Sequence, residues 1–398
     1  MDIPTFPFPA DHALQVSPLL AEARAGSAPV RVQLGYGAPA WLVTRYEDAR
    51  TVLSDPAFGR DRERAGIPAD RVAGMTPIDP TSDTLLTEDP PDHTRLRRFV
   101  YRTFTPRRVE ALRPGTERIA GRLLDAMTEA GGPADLVEAF GLPLPIQVIC
   151  DLLGVPVAER RRFTAWTDAL LSTSDLTGDE IRSSIDEMNG YLAELAAMRV
   201  EHPTDDLIGA LVRERIEGDR LSGDELNNLV RAVLAAGFET TASQIPNFVF
   251  LLLRGGDYAR LAADPGLVPA AVEELLRFVP LIAQGSLTRF VLTEIEVGGV
   301  LLRPGEQVLV ELSAANRDGD AFPEPETLDI ARRSNPHIAF GHGLHRCLGA
   351  SLARMELQVA LSALAVRLPG LRLAVPADQV PWHTARFVNR PRELPVAW

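Results

Sequence analysis

The sequence predicts a mainly α-helical fold with small β-sheets, and three observations carry that expectation. Apolar residues recur at helical spacing through most of 47–278 and again over 348–367. Residues 30–46, 286–312 and 371–398 instead alternate and are punctuated by Gly and Pro, as short strands are. No repeat or low-complexity linker divides the chain, so one domain over 1–398 is expected, although about 150 residues per domain would allow two or three.

In chain order, 30–34 and 40–46 read as two strands joined by a Gly- and Pro-containing turn. Residues 60–90 lack periodicity and read as a long loop, a length that usually serves function. Helices follow at 92–104, 106–130, 143–153, 157–173, 178–201, 204–217 and 222–254. The last opens on a capping box, Ser222 with Glu225, and stops at Gly255-Gly256. At about 1.5 Å per residue it is roughly 50 Å long, and its mostly apolar circumference predicts burial on nearly every face. Helices near 258–263 and 267–278, strand-like sequence over 286–312, a helix over 348–367 and short C-terminal strands complete the chain.

Composition narrows the function. The chain is 45% hydrophobic, too apolar for disorder, and long enough to fold without disulfides or metal. Its two cysteines, Cys150 and Cys347, form neither a disulfide framework nor a CxxC pair, and Cys150 is expected in the core. A net charge of −13 argues against nucleic acid or an anionic membrane as partner. All 41 basic side chains are arginine. The start lacks a signal-peptide pattern, and the most apolar segment, 229–253, carries Arg231, Glu239 and Pro246, so no bilayer span is expected and the protein is assigned to the cytoplasm.

Three constellations carry chemistry, each with a plainer alternative. Phe340-Gly-His-Gly-Leu-His-Arg-Cys-Leu-Gly349 brackets Cys347 with glycines just before a helix. Glycine allows close approach to something flat, and a helix N-terminus favours thiolate, as an axial haem ligand requires. The alternatives are a buried structural thiol, or a zinc site of His337, His342, His345 and Cys347. Ala235-Ala-Gly-Phe-Glu-Thr-Thr241 lies mid-helix, where Gly and a buried acid are both costly. Small residues there leave room for a flat cofactor, Thr240 can hold water and Glu239 can supply protons. The alternative is a kink in which Thr240 bonds to the i−4 carbonyl and Glu239 finds an arginine, with Pro246 contributing. Glu274 and Arg277 stand three apart and can pair, either as a surface ion pair or as a buried structural one.

Together these motifs resemble the signature set of the cytochrome P-450 monooxygenases. The ligand loop Phe-x-x-Gly-x-x-Arg-x-Cys-x-Gly is met by Phe340, Gly343, Arg346, Cys347 and Gly349. Ala236-Gly237-Phe238-Glu239-Thr240-Thr241 matches the oxygen-side helix, with Phe238 at a variable position, and Glu274 with Arg277 matches Glu-x-x-Arg, for which Arg332 sits as third partner. The run 89–98 resembles the helix whose His93 and Arg97 contact a haem propionate, and Arg289 and His345 hold the other such positions. The resemblance covers about residue 30 to Trp398 and is strongest to soluble bacterial members that tailor macrolides and other secondary metabolites.

The resemblance implies a haem b sandwiched between the long central helix and the cysteine loop, with Cys347 as thiolate ligand of the iron. Ala236, Gly237, Phe340, Gly341 and Gly349 would border the cofactor, and Glu239 with Thr240 would deliver protons while one atom of O2 enters a large, mostly apolar substrate. Leu85, Ala235, Ala236, Ile282, Ala283, Leu287 and Phe387 would line the substrate pocket, Gln284 and Asn389 being polar candidates there. The chain has no flavin, nicotinamide or iron–sulfur fingerprint. The implied electron source is therefore NAD(P)H through a ferredoxin reductase and a ferredoxin, docking on arginines such as Arg95, Arg98, Arg102 and Arg346, with the enzyme a monomer. Oxidative coupling without oxygen insertion stays open, and a haem sensor or carrier is the more distant alternative.

Overall fold

The computed structural model describes residues 3–26, 28–35, 38–68, 85–159, 162–163, 165–166, 176–218, 221–282, 287–383 and 388–398. The helices are α1 (Pro18–Ala25), α2 (Tyr46–Ser54), α3 (Asp92–Tyr101), α4 (Pro106–Ala130), α5 (Pro143–Leu153), α6 (Gly178–Glu201), α7 (Leu207–Gly218), α8 (Gly223–Gly255), α9 (Asp257–Ala263), α10 (Val268–Phe278), α11 (Leu312–Ala315) and α12 (Ala350–Arg367). The strands are β1 (Thr5–Phe6), β2 (Val30–Leu34), β3 (Ala40–Val43), β4 (Phe58–Gly59), β5 (Ala134–Asp135), β6 (Leu287–Val291), β7 (Ile295–Val297), β8 (Val300–Leu302), β9 (Gln307–Val310), β10 (Arg372–Leu373) and β11 (Pro395–Ala397). Helices dominate and the sheets are small, as the periodicity predicts.

The chain divides into two units, neither of them a continuous stretch: 1–89 with 269–348, and 90–268 with 349–398. The first holds a six-stranded sheet ordered β1-β2-β3-β9-β6-β4 and the hairpin β7-β8. Alternation in β2 and β3 turns Val32, Leu34, Ala40 and Leu42 inward, where they pack with Phe6, Leu20, Leu309 and Ala314. On the other side Tyr46, Ala49, Val52 and Leu53 of α2 pack against Val308, Val310 and Phe322. Those positions repeat at three and four residues, so the helix presents one apolar stripe.

The second unit is a helical body with the small sheet β10-β11-β5. In it α4 packs on α12, and α8 packs on α5. The capping box at Ser222 is formed in both directions, Ser222 Oγ accepting from Glu225 N–H and Glu225 accepting from Ser222 N–H. The helix runs 33 residues through Pro246, whose missing N–H leaves the Ala242 carbonyl without its i+4 donor. Gly141 comes close at this point, since a Cβ there would lie 3.3 Å from Pro246 Cδ. Helix α8 ends on Gly256 at φ 80°, a left-handed C-cap.

The structure corrects several boundaries. The helix expected over 92–104 stops at Tyr101, and that over 204–217 begins at Leu207. Val157–Glu159 form a single 3₁₀ turn, and most of the helix expected over 157–173 lies outside the described residues. Helix α1, strands β1, β4 and β5 and the π-helical turn Val137–Gly141 are additions. Among the described residues no helix is long and apolar enough to cross a membrane.

Candidate active site

Cys347 is exposed at the end of a tightly tied loop in the first unit. Its N–H donates to the Phe340 carbonyl at 2.8 Å, Gly341 N–H donates to Ile338 O at 2.8 Å and Arg346 N–H to Gly343 O at 3.1 Å. Gly341 and Gly343 take φ of 71° and 70°, and a Cβ on Gly343 would sit 2.3 Å from the Leu53 carbonyl oxygen at the end of α2. Only glycine satisfies that left-handed turn and that approach together. Gly349 is the N-cap of α12, two residues beyond the thiol.

The histidines of this stretch have other employment. His337 Nδ1 accepts from Ala339 N–H at 3.2 Å, so Nε2 carries the proton and donates it to Glu273 Oε2 at 3.0 Å. His345 Nε2 lies 3.7 Å from Asp89 Oδ1. Among the described residues no group of three or more His, Cys, Asp or Glu is placed to hold a metal ion, which removes the zinc alternative.

Asp89 organises a buried cationic cluster. Its carboxylate accepts from the backbone N–H of Arg60 at 3.0 Å and of Asp61 at 3.1 Å. Burial pushes this carboxyl up, but the bonds from His345 and those two N–H groups outweigh it and hold it below the usual range. Burial, then repulsion from Arg60, lowers Arg289 on β6 to about 9, and burial lowers Arg60 to about 10 despite Asp89. Burial also takes His345 down to about 4. Among the described residues Asp89 is the one carboxylate that acts on both guanidiniums, and its bonds go to backbone N–H groups, so a further carboxylate would be favoured there. The motif reading missed Arg60 and Asp89. Gly59 is the only local sign, since a Cβ there would fall 2.3 Å from Asp89 Oδ2.

Glu274, Arg277 and Arg332 meet in the same unit. Both Arg277 and Glu274 are fully buried, joined by Nε to Oε2 at 2.8 Å and Nη2 to Oε1 at 2.7 Å. Arg332 Nε adds a bond to Oε2 at 2.9 Å. Asp329 N–H and Asn335 Nδ2 also donate to this carboxylate, at 3.0 and 3.1 Å, so the network ties down the segment that leads into the cysteine loop.

In the second unit, α8 carries an open strip. Leu234, Phe238 and Ala242 are fully buried, yet Ala236 is exposed and Gly237 and Thr240 are half-buried. Residues four apart share a helix face while a residue two away faces opposite, so Phe238 points into the core rather than along the strip. Thr240 Oγ donates to the Ala236 carbonyl at 2.8 Å, which leaves its lone pairs to accept from a water or a bound oxygen species. Glu239 is ion-paired to Arg390 at 3.4 Å. Both features of the kink alternative are therefore present, but they leave the strip open. On α3, His93 is fully buried and Arg97, one turn on, is half-buried.

Of the residues expected at the substrate, Leu85, Ile282 and Leu287 are half-buried. Ala283, Gln284 and Phe387 lie outside the described residues, as does the side chain of Ala235. Asn389 accepts through its backbone carbonyl from Asn247 Nδ2 at 2.7 Å. Of the arginines expected at an electron donor, Arg98 and Arg346 are exposed. Arg95 pairs with Glu225 and Asp92, and Arg102 with Glu214, which reduces the positive charge those two offer a partner.

These residues suit a haem on separate grounds. An exposed thiol sits on a loop tied by glycines, a cation cluster has Asp89 as its one nearby carboxylate among the described residues, and a helix opens at its small residues. Residues 265–381 match the family model described as Cytochrome P450. The chain is 47% identical over its whole length to nocardicin C N-oxygenase of Nocardia uniformis subsp. tsuyamanensis, covering 99% of that protein. It is 44% identical to mycinamicin IV hydroxylase/epoxidase of Micromonospora griseorubida, over 99% of this chain and 98% of that one. The crystal structure of the LnmA cytochrome P450 hydroxylase from the leinamycin pathway of Streptomyces atroolivaceus superposes with a TM-score of 0.92 at 46% identity, covering both chains fully. The chain therefore belongs to the cytochrome P450 family and is a monooxygenase-type oxidoreductase that draws on O2 and an external electron donor.

Proposed function

We propose that this chain binds haem b through the Cys347 thiolate and oxygenates a large, mostly apolar secondary metabolite of the macrolide or polyketide kind. The observation that carries this reading is the cysteine loop, which holds an exposed thiol on a turn with two left-handed glycines just before α12. The substrate class follows the relatives, of which one is named for hydroxylating or epoxidising mycinamicin IV and another for N-oxygenating nocardicin C. When bound, the haem supplies reductive activation of O2, with one atom passing to the substrate and the other leaving as water.

The chain's own residues do the rest. Arg60, Arg289 and His345, with His93 and Arg97, hold the propionates, a role supported by the two arginines having one nearby carboxylate, Asp89, among the described residues. Ala236 and Gly237 admit the flat ring system, while Phe340, Gly341 and Gly349 shape the ligand loop. Thr240, its own proton committed to Ala236 O, accepts at the oxygen side, and Glu239 beside it is the proton source. Leu85, Ile282 and Leu287, with Ala235, Ala283 and Phe387, face the substrate. The enzyme acts as one domain and a monomer in the cytoplasm, reduced by a ferredoxin and its NAD(P)H-dependent reductase.

The test is a type I spectral-shift screen with macrolides, polyketides and cyclic peptides, followed by product mass. A shift with one compound class and a gain of one oxygen atom supports the reading. Loss of two hydrogens instead marks oxidative coupling and overturns the oxygenation. Absence of the red-shifted Soret band in the reduced carbon-monoxide complex overturns the thiolate assignment itself.

A further inference from the structure

Glu239 opens a polar stripe on α8 that is otherwise hard to account for. Glu239, Ser243 and Asn247 follow at four-residue spacing and are at most 3% exposed, with Phe250 on the same face. Placing three polar side chains inside a helical core is costly unless each is met. What meets two of them is the C-terminal segment. Trp382 and Pro391 pair as an antiparallel bridge, and His383 N–H donates to Arg390 O at 3.3 Å. Trp382 packs edge-on against Phe250 with ring centroids 5.2 Å apart, and Asn389 O accepts from Asn247 Nδ2 at 2.7 Å. With the backbone fastened at those two points, the Arg390 guanidinium reaches about two turns further along α8 and sets Nη1 3.4 Å from Glu239 Oε2. The Arg390 side chain is 5% exposed and that of Glu239 4%.

We propose that Arg390 is a positioning residue for proton delivery, holding the Glu239 carboxyl group in place beside Thr240. A buried ion pair adds little net stability over apolar residues of the same volume, so stability alone does not account for it. The separation also matters. At 3.4 Å the contact is too long for a strong hydrogen bond, so the guanidinium orients the carboxyl group without gripping it tightly. The proposal rests on the reading of Glu239 and Thr240 as the proton-delivering pair.

The test uses the full-length, haem-loaded protein, reduced by NADPH through a ferredoxin and ferredoxin reductase, without added substrate. O2 then takes either two electrons and two protons to peroxide or four of each to water, and the peroxide fraction reads proton delivery. Arg390→Gln is expected to raise that fraction severalfold and to enlarge the solvent isotope effect, Arg390→Lys to restore both, and Arg390→Gln to add nothing in a Glu239→Gln background. If Glu239→Gln moves both readouts and Arg390→Gln neither, Arg390 is merely structural and the proposal fails with the Glu239 reading intact. If Glu239→Gln itself behaves as wild type, that reading fails and takes the proposal with it. Thermal melts add a readout independent of turnover. Each single variant should melt lower, and the double should regain part of the loss, whereas strict additivity would deny the pair. Should Arg390→Gln fold poorly, Arg390→Lys and the double variant, which removes both charges, still decide the matter.

Discussion

Arg277→Lys keeps the positive charge and should still cost the fold several kcal/mol. The guanidinium has five N–H hydrogens and spends all of them: two on Glu274 Oε2 and Oε1, one each on the carbonyls of Asn316 at 2.9 Å, Pro325 at 2.7 Å and Thr327 at 3.1 Å. A lysine ammonium has three hydrogens on one atom, so at least two acceptors around this buried side chain lose their donor. Hydrogen bonds to charged groups are worth about 1.5–3 kcal/mol each, which puts the loss at about 3–6 kcal/mol. With an unfolding entropy of about 2.1 cal/mol/K per residue, a chain of this length melting as one block would drop by about 4–7 °C. Because Glu274 also holds Asp329 N–H and Asn335, haem retention and the red-shifted carbon-monoxide band should weaken in parallel. Scanning calorimetry of the wild type and the variant, with the band recorded on the same samples, makes the comparison. A lysine variant that melts within about a degree of wild type would show that the five-donor geometry is not what stabilises this site.

Four further outcomes follow from the same structure. Thr240→Ala should release more peroxide per electron consumed, and unchanged coupling would remove the hydroxyl from proton delivery. Cys347→Ser should abolish the red-shifted band while leaving the helical circular dichroism in place, since the thiol is exposed and packs into no core. Gly343→Ala should lower haem occupancy, because its Cβ would meet backbone atoms of Leu53 and Ser54 at 2.3 and 2.7 Å and cannot be relieved by a rotamer change. Glu356 on α12 is buried, and burial pushes its carboxyl well above the ordinary range. A raised folded pKa means that the folded state holds the proton the unfolded state releases, so wild-type stability declines as pH rises past the ordinary carboxyl value. Glu356→Gln, free of that release, should therefore melt progressively higher than wild type from pH ~5 to ~8 and lose the advantage in acid. A pH-independent difference would contradict the buried neutral acid.

What was legible in the sequence is what local chemistry decides. The capping box at Ser222, the Gly256 stop and the burial of α8 all follow from residues within a few positions of each other. The same holds for the glycines around Cys347, whose turn requires left-handed backbone whatever packs outside it. Strands β1, β4 and β5 were not legible, because two residues carry no alternation and their pairing with β2, β6 and β11 is non-local. Helix α7 began late because Asp206 binds Gly209 N–H and Thr204, holding the approach in a turn.

The cation partners show the same division more sharply. Every basic side chain is arginine, so composition cannot say which ones lie inside. Arg277 could be singled out because Glu274 stands three residues before it on one helix. Arg60 is marked only by a glycine next to it, and the carboxylate that accepts from its backbone N–H is 29 residues away; the partner of the Arg390 guanidinium is 151 residues away. Neither pairing has a sequence signal, and in both cases the burial that makes the charge matter is a tertiary result. A buried guanidinium is nonetheless a strong constraint once seen, because its planar fork accepts few arrangements of oxygen. That is why the chemistry of the cysteine loop and the Glu274–Arg277 pair could be anticipated from motifs, while the surroundings of Arg60 and Arg390 became visible only in the fold.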